Sequence, residues 1–289
     1  MNIALLGIGL MGYPMGRRLR DAGYTLHVWN RTLSKAQRLA AYGAIVHADV
    51  ASAVENADIV ITMLDDGAVV NGVLFDLGAA KAMKPDTLLI DMSSIRPAEA
   101  RDHAARLSEL HVAYLDAPVS GGTIGAESGT LAIMAGGKVT HFDRALPILS
   151  VFGRATHVGP IGAGQLAKLA NQMIVGATIG IVAEALLLCE RGGANMAKVK
   201  EAITGGFADS RILQVHGQRM VERDFAPRGR MTVQLKDLRN ALATATEVGY
   251  DAPITKLFQQ LYAEGVDHGL ADLDQSGLFV ELASRNGMS

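Results

Sequence analysis

Cysteine is almost absent from this sequence, which contains only Cys189. A single cysteine cannot form a disulfide within the chain, so a fold held together by internal disulfides is excluded and a reducing, cytoplasmic compartment is expected. The eight histidines show no pairing at the spacing of metal ligands, and we therefore predict no metal site. No basic region precedes the first apolar residues, so no signal peptide is expected either.

Clusters of like charge are also missing. The chain has 27 lysines and arginines against 29 aspartates and glutamates, and the basic residues are scattered. Such a distribution lacks the basic surface that binds nucleic acid or an anionic membrane, so neither partner is expected. The 289 residues, 49% hydrophobic and including 32 glycines, are instead typical of a globular α/β protein with about two domains.

The most apolar stretch of the chain is residues 162–191. The uncharged run within it is too short to span a membrane. This longest run without charge, between Lys168 and Glu184, has 15 residues, whereas about 20 apolar residues cross a bilayer. We predict a long helix that protein surrounds on most sides. Lys168 shares a face of this helix with Asn171 and Gln172, and spacing alone leaves open whether it is structural or works in a polar cleft.

A dinucleotide-binding fingerprint opens the chain. Gly7-Ile8-Gly9-Leu10-Met11-Gly12 follows a short apolar strand at 2–6 and precedes a helical pattern, which is the context that gives GxGxxG its meaning. The first glycine is expected to make the tight turn, the second to admit the pyrophosphate, and the third to let helix and strand pack closely. We expect Leu10 and Met11 to lie in the same cofactor-binding segment.

The end of the second predicted strand, 25–29, favours NADP over NAD. An NAD site places a carboxylate there for the ribose hydroxyls, whereas an NADP site has a cation. This chain has Asn30, Arg31 and Thr32, and the arginine can bind a 2'-phosphate. A solvated surface arginine is the alternative, and NAD remains possible.

Later strands are expected to end in further ligand-binding residues, because an open parallel sheet binds ligands at its carboxyl edge. Leu64 and Ser94 follow two such strands and are assigned to the cofactor. Ser120-Gly121-Gly122 follows a third, and its backbone amides and hydroxyl suit a small carboxylate, although a simple glycine turn remains possible. The strands are predicted at 58–63, 87–91, 112–117, 130–135 and 154–158.

Strand signals stop after Pro160, and helical periods continue to the end of the chain. The predicted fold is therefore α/β: an N-terminal Rossmann doubly wound sheet, residues 1–161, followed by an all-α domain, 162–289, entered through the long interdomain helix. The chemistry is expected in the cleft between the two. The later helices are predicted at about 195–204, 209–223, 232–248, 253–268 and 275–285.

Four motifs in order make the whole chain resemble the β-hydroxyacid dehydrogenases. They are GIGLMG at 7–12, DAPVSGG at 116–122, GAGQLAKLAN at 162–171 and KDL at 236–238. The resemblance implies an NAD(P)-dependent oxidoreductase that forms homodimers or homotetramers. It also implies that Lys168 is catalytic, that Asn171 helps to hold the substrate, that 120–122 bind its carboxylate, and that Lys236 closes over the cofactor.

Two positions depart from the family pattern. Arg17 stands where asparagine is usual, and an aromatic residue is usual around Gly229, where this chain has PRGRM; Arg228 or Arg230 could there contact an anionic ligand. The expected substrate is a small hydroxyacid or its semialdehyde, first of all tartronate semialdehyde, with 3-hydroxyisobutyrate and a sugar acid such as threonate as alternatives. A non-catalytic NADP-binding scaffold is the alternative from another functional class.

Overall fold

The computed structural model describes residues 1–288. The chain forms two compact units, the first comprising 1–168 and the second beginning at Leu169. The change from one unit to the other falls inside a continuous helix, Ala163–Arg191. The first unit has two hydrophobic cores and the second unit has one.

The first unit is built on a sheet of nine strands, in the order β3-β2-β1-β4-β5-β6-β8-β7, with β9 paired to β8. Pairing is parallel from β3 through β6 and between β8 and β9, and antiparallel where β8 meets β6 and β7. The strands are β1 (Asn2–Leu6), β2 (Thr25–Trp29), β3 (Ile45–Val46), β4 (Ile59–Thr62), β5 (Leu88–Asp91), β6 (Ala113–Asp116), β7 (Val119–Ser120), β8 (Leu131–Gly136) and β9 (Gly153–Gly159).

Helices cover both faces of this sheet. Side chains alternate along β1, so that Ile3 and Leu5 lie in one core while Ala4 and Leu6 lie in the other. All four are fully buried, as expected for a central parallel strand between two helical layers. The helices are α1 (Gly12–Asp21), α2 (Leu33–Gln37), α3 (Val50–Val54), α4 (Gly67–Asn71), α5 (Ala79–Ala82), α6 (Pro97–Glu109), α7 (Gly122–Ser128) and α8 (Val139–Phe152).

Helix α9 (Ala163–Arg191) leads into the second unit, whose described residues form helices and connecting loops, with one isolated bridge between Arg230 and Asp274 and no strand. Its core joins α9, α12, α13 and α14 through side chains such as Ile179, Leu238 and Tyr262. The remaining helices are α10 (Met196–Ile203), α11 (Gln218–Glu222), α12 (Met231–Glu247), α13 (Pro253–Gly265) and α14 (Leu278–Arg285), with π-helical turns at Leu213–Gly217 and Val266–Leu270.

This architecture confirms the predicted fold class, a Rossmann-type sheet unit followed by a helical one. Strands β1 and β2 have the predicted bounds, and the other five predicted strands differ by at most one residue at either end. The short strands β3 and β7 were not predicted. Each has only two residues, too few for the alternation that identifies a strand in a sequence.

Within a single chain, α9 is not surrounded on most sides as expected, because 44% of its most apolar window is buried. Ile174, Ile181 and Leu188 are 65%, 55% and 72% exposed, and their spacing of seven places them along one face. The helix is long and apolar enough to cross a membrane by length and composition, but one such helix is weak evidence for a span. The opposite face carries Ile179, Ala183 and Leu186 into the core.

Candidate functional site

The fingerprint loop between β1 and α1 is shaped by its glycines. Gly7 has a φ of +103°, which side chains disfavour, and a Cβ there would overlap the carbonyl oxygen of Met63. A Cβ on Gly12, the first residue of α1, would overlap the carbonyl oxygen of Gly7. A Cβ on Gly9 would have open space around it, so the chain leaves room above this residue for a phosphate group at the start of the helix.

Residues at the end of β2 support and flank this loop. Asn30 accepts a hydrogen bond from the backbone N–H of Ile8 through Oδ1 (2.9 Å) and donates through Nδ2 to the carbonyl of Thr32 (2.9 Å). The side-chain amide of Asn30 therefore stabilises the fingerprint loop. Arg31 and Thr32 are exposed beside it, and Leu10 in the loop is 71% exposed.

A buried polar network at the carboxyl ends of β4 and β5 includes a tyrosine of the neighbouring strand β6. Asp91 accepts from the Thr62 hydroxyl (2.8 Å), the Tyr114 hydroxyl (3.2 Å) and the backbone N–H of Ser93 (3.0 Å). Burial raises the pKa of Asp91. The Ser93 hydroxyl accepts from the N–H of Leu64 (3.0 Å), so two loops of the sheet edge have fixed relative positions. Ser94, next in sequence, is half-buried.

The predicted carboxylate-binding loop lies between β7 and α7. Ser120 ends β7, opposite Ala132 of β8, and is half-buried. Gly121 and Gly122 are exposed and have φ values of +137° and +62°, and open space surrounds the position of a Cβ on Gly122. The loop therefore has exposed backbone at two glycines next to a half-buried serine.

The start of α9 is held by Asp116, the last residue of β6. Its Oδ1 accepts from the N–H of Gly162 (2.8 Å) and its Oδ2 from the N–H of Gln165 (2.9 Å), so one carboxylate caps two of the unpaired N–H groups of the helix. Burial raises the pKa of Asp116 to about 6, although the two N–H bonds lower it in part. This carboxyl is fully buried.

We predict a pH-dependent stability from Asp116. Because its pKa is about 6 in the folded protein and about 3.9 when unfolded, its contribution is complete below about pH 4 and is lost as the pH rises through 6. The loss is about 3 kcal/mol, from about 1.4 kcal/mol per pH unit. In urea unfolding, the free energy of unfolding of the wild type should fall by this amount relative to that of Asp116→Asn between pH 4 and 7. A difference between the two free energies that does not change with pH would contradict the prediction.

Lys168 lies in α9, one turn after the residues that Asp116 binds, and is 9% exposed. Asn171, in the second unit, follows after three residues and donates through Nδ2 to Oε1 of Gln172 (2.8 Å). Gln172 in turn donates to Oδ2 of Asp237 (2.7 Å), whose Oδ1 pairs with Lys236 (3.3 Å). Within the second unit, Gln172 thus joins Asn171, the last residue of GAGQLAKLAN, to the first two residues of the KDL motif.

Arg17 and the arginines around Gly229, at the two positions that depart from the family pattern, have contacts within the protein. Arg17 lies over the ring of Tyr42, 4.7 Å from its centroid. Arg228 pairs with Asp224 (2.6 Å), and Arg230 lies 3.8 Å from Asp272. These arginines therefore have partners within the protein.

The polar residues beneath the sheet edge were missed from the sequence. Asp116 and Gln165 lie inside two of the quoted motifs, where an aspartate before Ala-Pro and a glutamine after Gly-Ala-Gly were the available signals. Their roles depend on contacts between residues 46 to 72 positions apart. Across residues 1–288, no group of three or more histidine, cysteine, aspartate or glutamate side chains could hold a metal ion.

Two family profiles together match nearly the whole chain. Residues 2–162 match the NAD binding domain of 6-phosphogluconate dehydrogenase. Residues 162–282 match the profile described as NAD-binding of NADP-dependent 3-hydroxyisobutyrate dehydrogenase.

Individual proteins match over nearly their full length as well. The chain is 41% identical over 281 residues to a 2-hydroxy-3-oxopropionate reductase of Escherichia coli (strain K12), with 96% of each chain covered. It is 37% identical over 296 residues to a probable 3-hydroxyisobutyrate dehydrogenase of Mycobacterium tuberculosis (strain ATCC 25618 / H37Rv), with 98% of each covered. A solved structure of Mycobacterium tuberculosis 3-hydroxyisobutyrate dehydrogenase with L-serine is similar at a TM-score of 0.88 and 34% identity, covering 97% of this chain and 98% of that one.

Proposed function

The chain belongs to the β-hydroxyacid dehydrogenase family, and from that premise we propose that it is an NADP(H)-preferring reductase of tartronate semialdehyde (2-hydroxy-3-oxopropionate). Membership makes it an NAD(P)-dependent oxidoreductase acting on a CH–OH group. The observation that carries the proposal further is Lys168, a buried lysine in the first turns of α9. It directly follows the residues of α9 that Asp116, at the end of β6, binds through hydrogen bonds. The relative with the 41% identity has this activity in its name and supports the substrate.

The residues of the sheet edge fit a dinucleotide. Gly9 leaves open space at the N-terminus of α1, and Gly7 and Gly12 shape the turn around it. We assign cofactor binding to this loop, to residues 30–32, and to Leu64, Ser94 and Lys236. When bound, the nicotinamide supplies the hydride.

Lys168 supplies the proton in this proposal. Hydride addition to an aldehyde carbon leaves negative charge on its oxygen, and the Nζ of Lys168 stabilises that oxygen and donates a proton to it. In the direction of oxidation the neutral amine accepts the proton of the alcohol. Asn171 and the loop 120–122 orient the substrate, whose carboxylate the backbone amides and the Ser120 hydroxyl bind.

Arg31 supports the preference for NADP(H). It is exposed beside the fingerprint loop, at the end of β2, and residues 30–32 contain no carboxylate to repel a 2'-phosphate. The guanidinium can bind such a phosphate with two hydrogen bonds. A kcat/KM ratio that favours NAD over NADP would contradict this assignment.

A substrate panel tests the proposed function. Tartronate semialdehyde, methylmalonate semialdehyde and succinic semialdehyde are offered with NADPH and with NADH, and glycerate, 3-hydroxyisobutyrate and threonate with the oxidised cofactors, at several pH values. The proposal expects the highest kcat/KM for tartronate semialdehyde with NADPH. A maximum for 3-hydroxyisobutyrate, which the similarity to the mycobacterial protein favours, would replace the substrate, and no activity across the panel would contradict the assignment to these acids.

We also propose that the protein is a homodimer or homotetramer joined through α9. Ile174, Ile181 and Leu188 form an exposed apolar stripe along one face of the helix, and burying it against a second copy removes this surface from water. Replacing Ile181 with aspartate is expected to shift the mass measured by light scattering from oligomer to monomer, because a carboxylate in the middle of an apolar contact stays unpaired. A wild-type monomer would contradict the proposal; Lys198→Ala, an exposed change on α10, serves as the control.

The cytoplasm is the proposed compartment. Cys189 is unpaired and partly buried in α9, which suits a reducing environment.

A further inference from the structure

Gln165 stands out among the buried residues of the first unit because its side chain holds a loop that lies 70 positions earlier in the sequence. Its Oε1 accepts from the N–H of Ile95 (3.1 Å) and its Nε2 donates to the carbonyl of Ser93 (2.9 Å). The residue is fully buried. A buried amide that satisfies both a backbone donor and a backbone acceptor fixes their positions, since each lost bond leaves a polar group unpaired.

The two backbone groups that Gln165 contacts lie on either side of Ser94. One amide side chain therefore spans this residue, binding the peptide group before it and the one after it. Other hydrogen bonds hold the loop as well, because the Ser93 N–H donates to Asp91 and the Ser93 hydroxyl accepts from Leu64. Loss of the Gln165 contacts would thus shift the loop without releasing it.

The backbone of Gln165 is anchored independently of its side chain. Its N–H donates to Oδ2 of Asp116 (2.9 Å), which also accepts from Gly162 through the other oxygen (2.8 Å). The helix start can approach this closely because residue 164 is glycine: a Cβ there would overlap the carbonyl oxygens of Met134 and Asp116. The first turn of α9 is consequently fixed to the ends of both β5 and β6.

Lys168 follows Gln165 by three residues, which places the two on neighbouring positions of one helix face, about 4.5 Å apart along the axis. We propose that Gln165 is a positioning residue that sets the placement of Lys168 relative to Ser94. This inference rests on the proposed function, in which Lys168 transfers the proton and Ser94 lies at the cofactor. Gln165 touches neither substrate nor cofactor in this assignment and acts through the helix and the loop that it joins.

The test compares Gln165→Met and Gln165→Glu with wild type. Methionine has a similar length but makes neither hydrogen bond, and displacement of a reacting group by about 1 Å can cost about a hundredfold in rate. We expect Gln165→Met to lower kcat at least about tenfold, with KM for the hydroxyacid changed less than about threefold and the Kd of NADPH, from its fluorescence, unchanged.

Gln165→Glu adds a readout that loss of stability alone would not give. A carboxylate accepts from the Ile95 N–H but cannot donate to the Ser93 carbonyl, whereas the protonated acid can do both. The kcat of Gln165→Glu relative to wild type at the same pH is therefore expected to rise as the pH falls, while the ratio for Gln165→Met stays flat. A flat ratio for both variants would contradict the proposal.

Thr87→Val is the matched control. Thr87 is fully buried at the opposite end of β5 and donates its hydroxyl to the carbonyl of Ala57 (3.1 Å), so the variant loses one buried hydrogen bond at the other edge of the same sheet. It should lower the melting temperature and keep wild-type kcat.

Parallel measurements on Lys168→Ala separate the two hypotheses. If Lys168→Ala is inactive and Gln165→Met keeps wild-type kcat, the positioning role alone is wrong. If Lys168→Ala is active, the catalytic role given to Lys168 in the proposed function is wrong and the positioning role falls with it. A Gln165→Met enzyme whose kcat falls no more than that of Thr87→Val at equal loss of melting temperature would also overturn the proposal.

Discussion

Replacing Lys168 with alanine is expected to lower kcat by at least about a hundredfold and to leave the affinity for NADPH unchanged. General acid–base catalysis by a positioned side chain contributes about 10²- to 10⁴-fold, and alanine removes the proposed proton donor entirely. The fingerprint loop between β1 and α1 is untouched by the change, so the Kd measured by NADPH fluorescence should stay within about twofold. Initial rates under saturating substrate measure the effect on kcat.

Lys168→Arg and Lys168→Met separate the contribution of the positive charge of Lys168 from the contribution of its proton transfer. Arginine keeps a positive charge but does not release a proton in the accessible pH range, whereas methionine keeps only the length and apolar stem. If proton transfer is the main contribution, both variants should be nearly as slow as Lys168→Ala. If charge stabilisation dominates, Lys168→Arg should recover part of the rate.

A surface lysine provides the control. The Lys198 side chain is 77% exposed on α10 and pairs with Glu201 in an exposed ion pair, which contributes little to stability. Lys198→Ala should have wild-type kinetics. A Lys168→Ala enzyme with kcat within about threefold of that control would remove the catalytic assignment.

The sheet was accessible from the sequence because its signals are local. A strand such as β1, in which Ile3 to Leu6 are all buried, appears as an unbroken apolar run, and the glycines that follow it mark the turn. The identity of the residues after each strand then located the carboxyl edge. The structure adds that Leu64 and the loop of Ser94 are joined through Ser93.

The supporting contacts could not be predicted in the same way. Gln165 and Asp116 act on backbone groups far away in the sequence, and no periodicity records which buried amide will meet which carbonyl. The exposed stripe on α9 was missed for a related reason. Apolar composition on every face predicts burial by protein but does not say whether the covering residues come from the same chain.

The second large expected effect is the loss of NADPH affinity when a glycine of the fingerprint is replaced. The glycines differ in the space that the structure leaves for a Cβ. We expect both Gly9→Ala and Gly12→Ala to weaken NADPH binding by about a hundredfold. This corresponds to about 3 kcal/mol, the loss of one or two hydrogen bonds to a charged phosphate. Fluorescence titration of NADPH measures both affinities.

The two variants should differ in melting temperature when no cofactor is bound. A Cβ on Gly12 would overlap the carbonyl oxygen of Gly7, so the turn must shift, and overpacking of this kind costs about 1–3 kcal/mol. Gly12→Ala should therefore melt several degrees below wild type. A Cβ on Gly9 meets no protein atom, and Gly9→Ala should melt at the wild-type temperature.

The pair of melting curves thus tests what occupies the space above Gly9. If that space belongs to a phosphate of the cofactor, Gly9→Ala combines normal apo stability with a loss of NADPH binding, and the stabilisation that saturating NADPH gives to wild type should largely disappear. If Gly9→Ala binds NADPH as wild type does, the loop has the fingerprint sequence but the pyrophosphate does not approach the backbone at this residue. Gly12→Ala cannot make this distinction, because its side chain disturbs the turn whether or not a cofactor is bound.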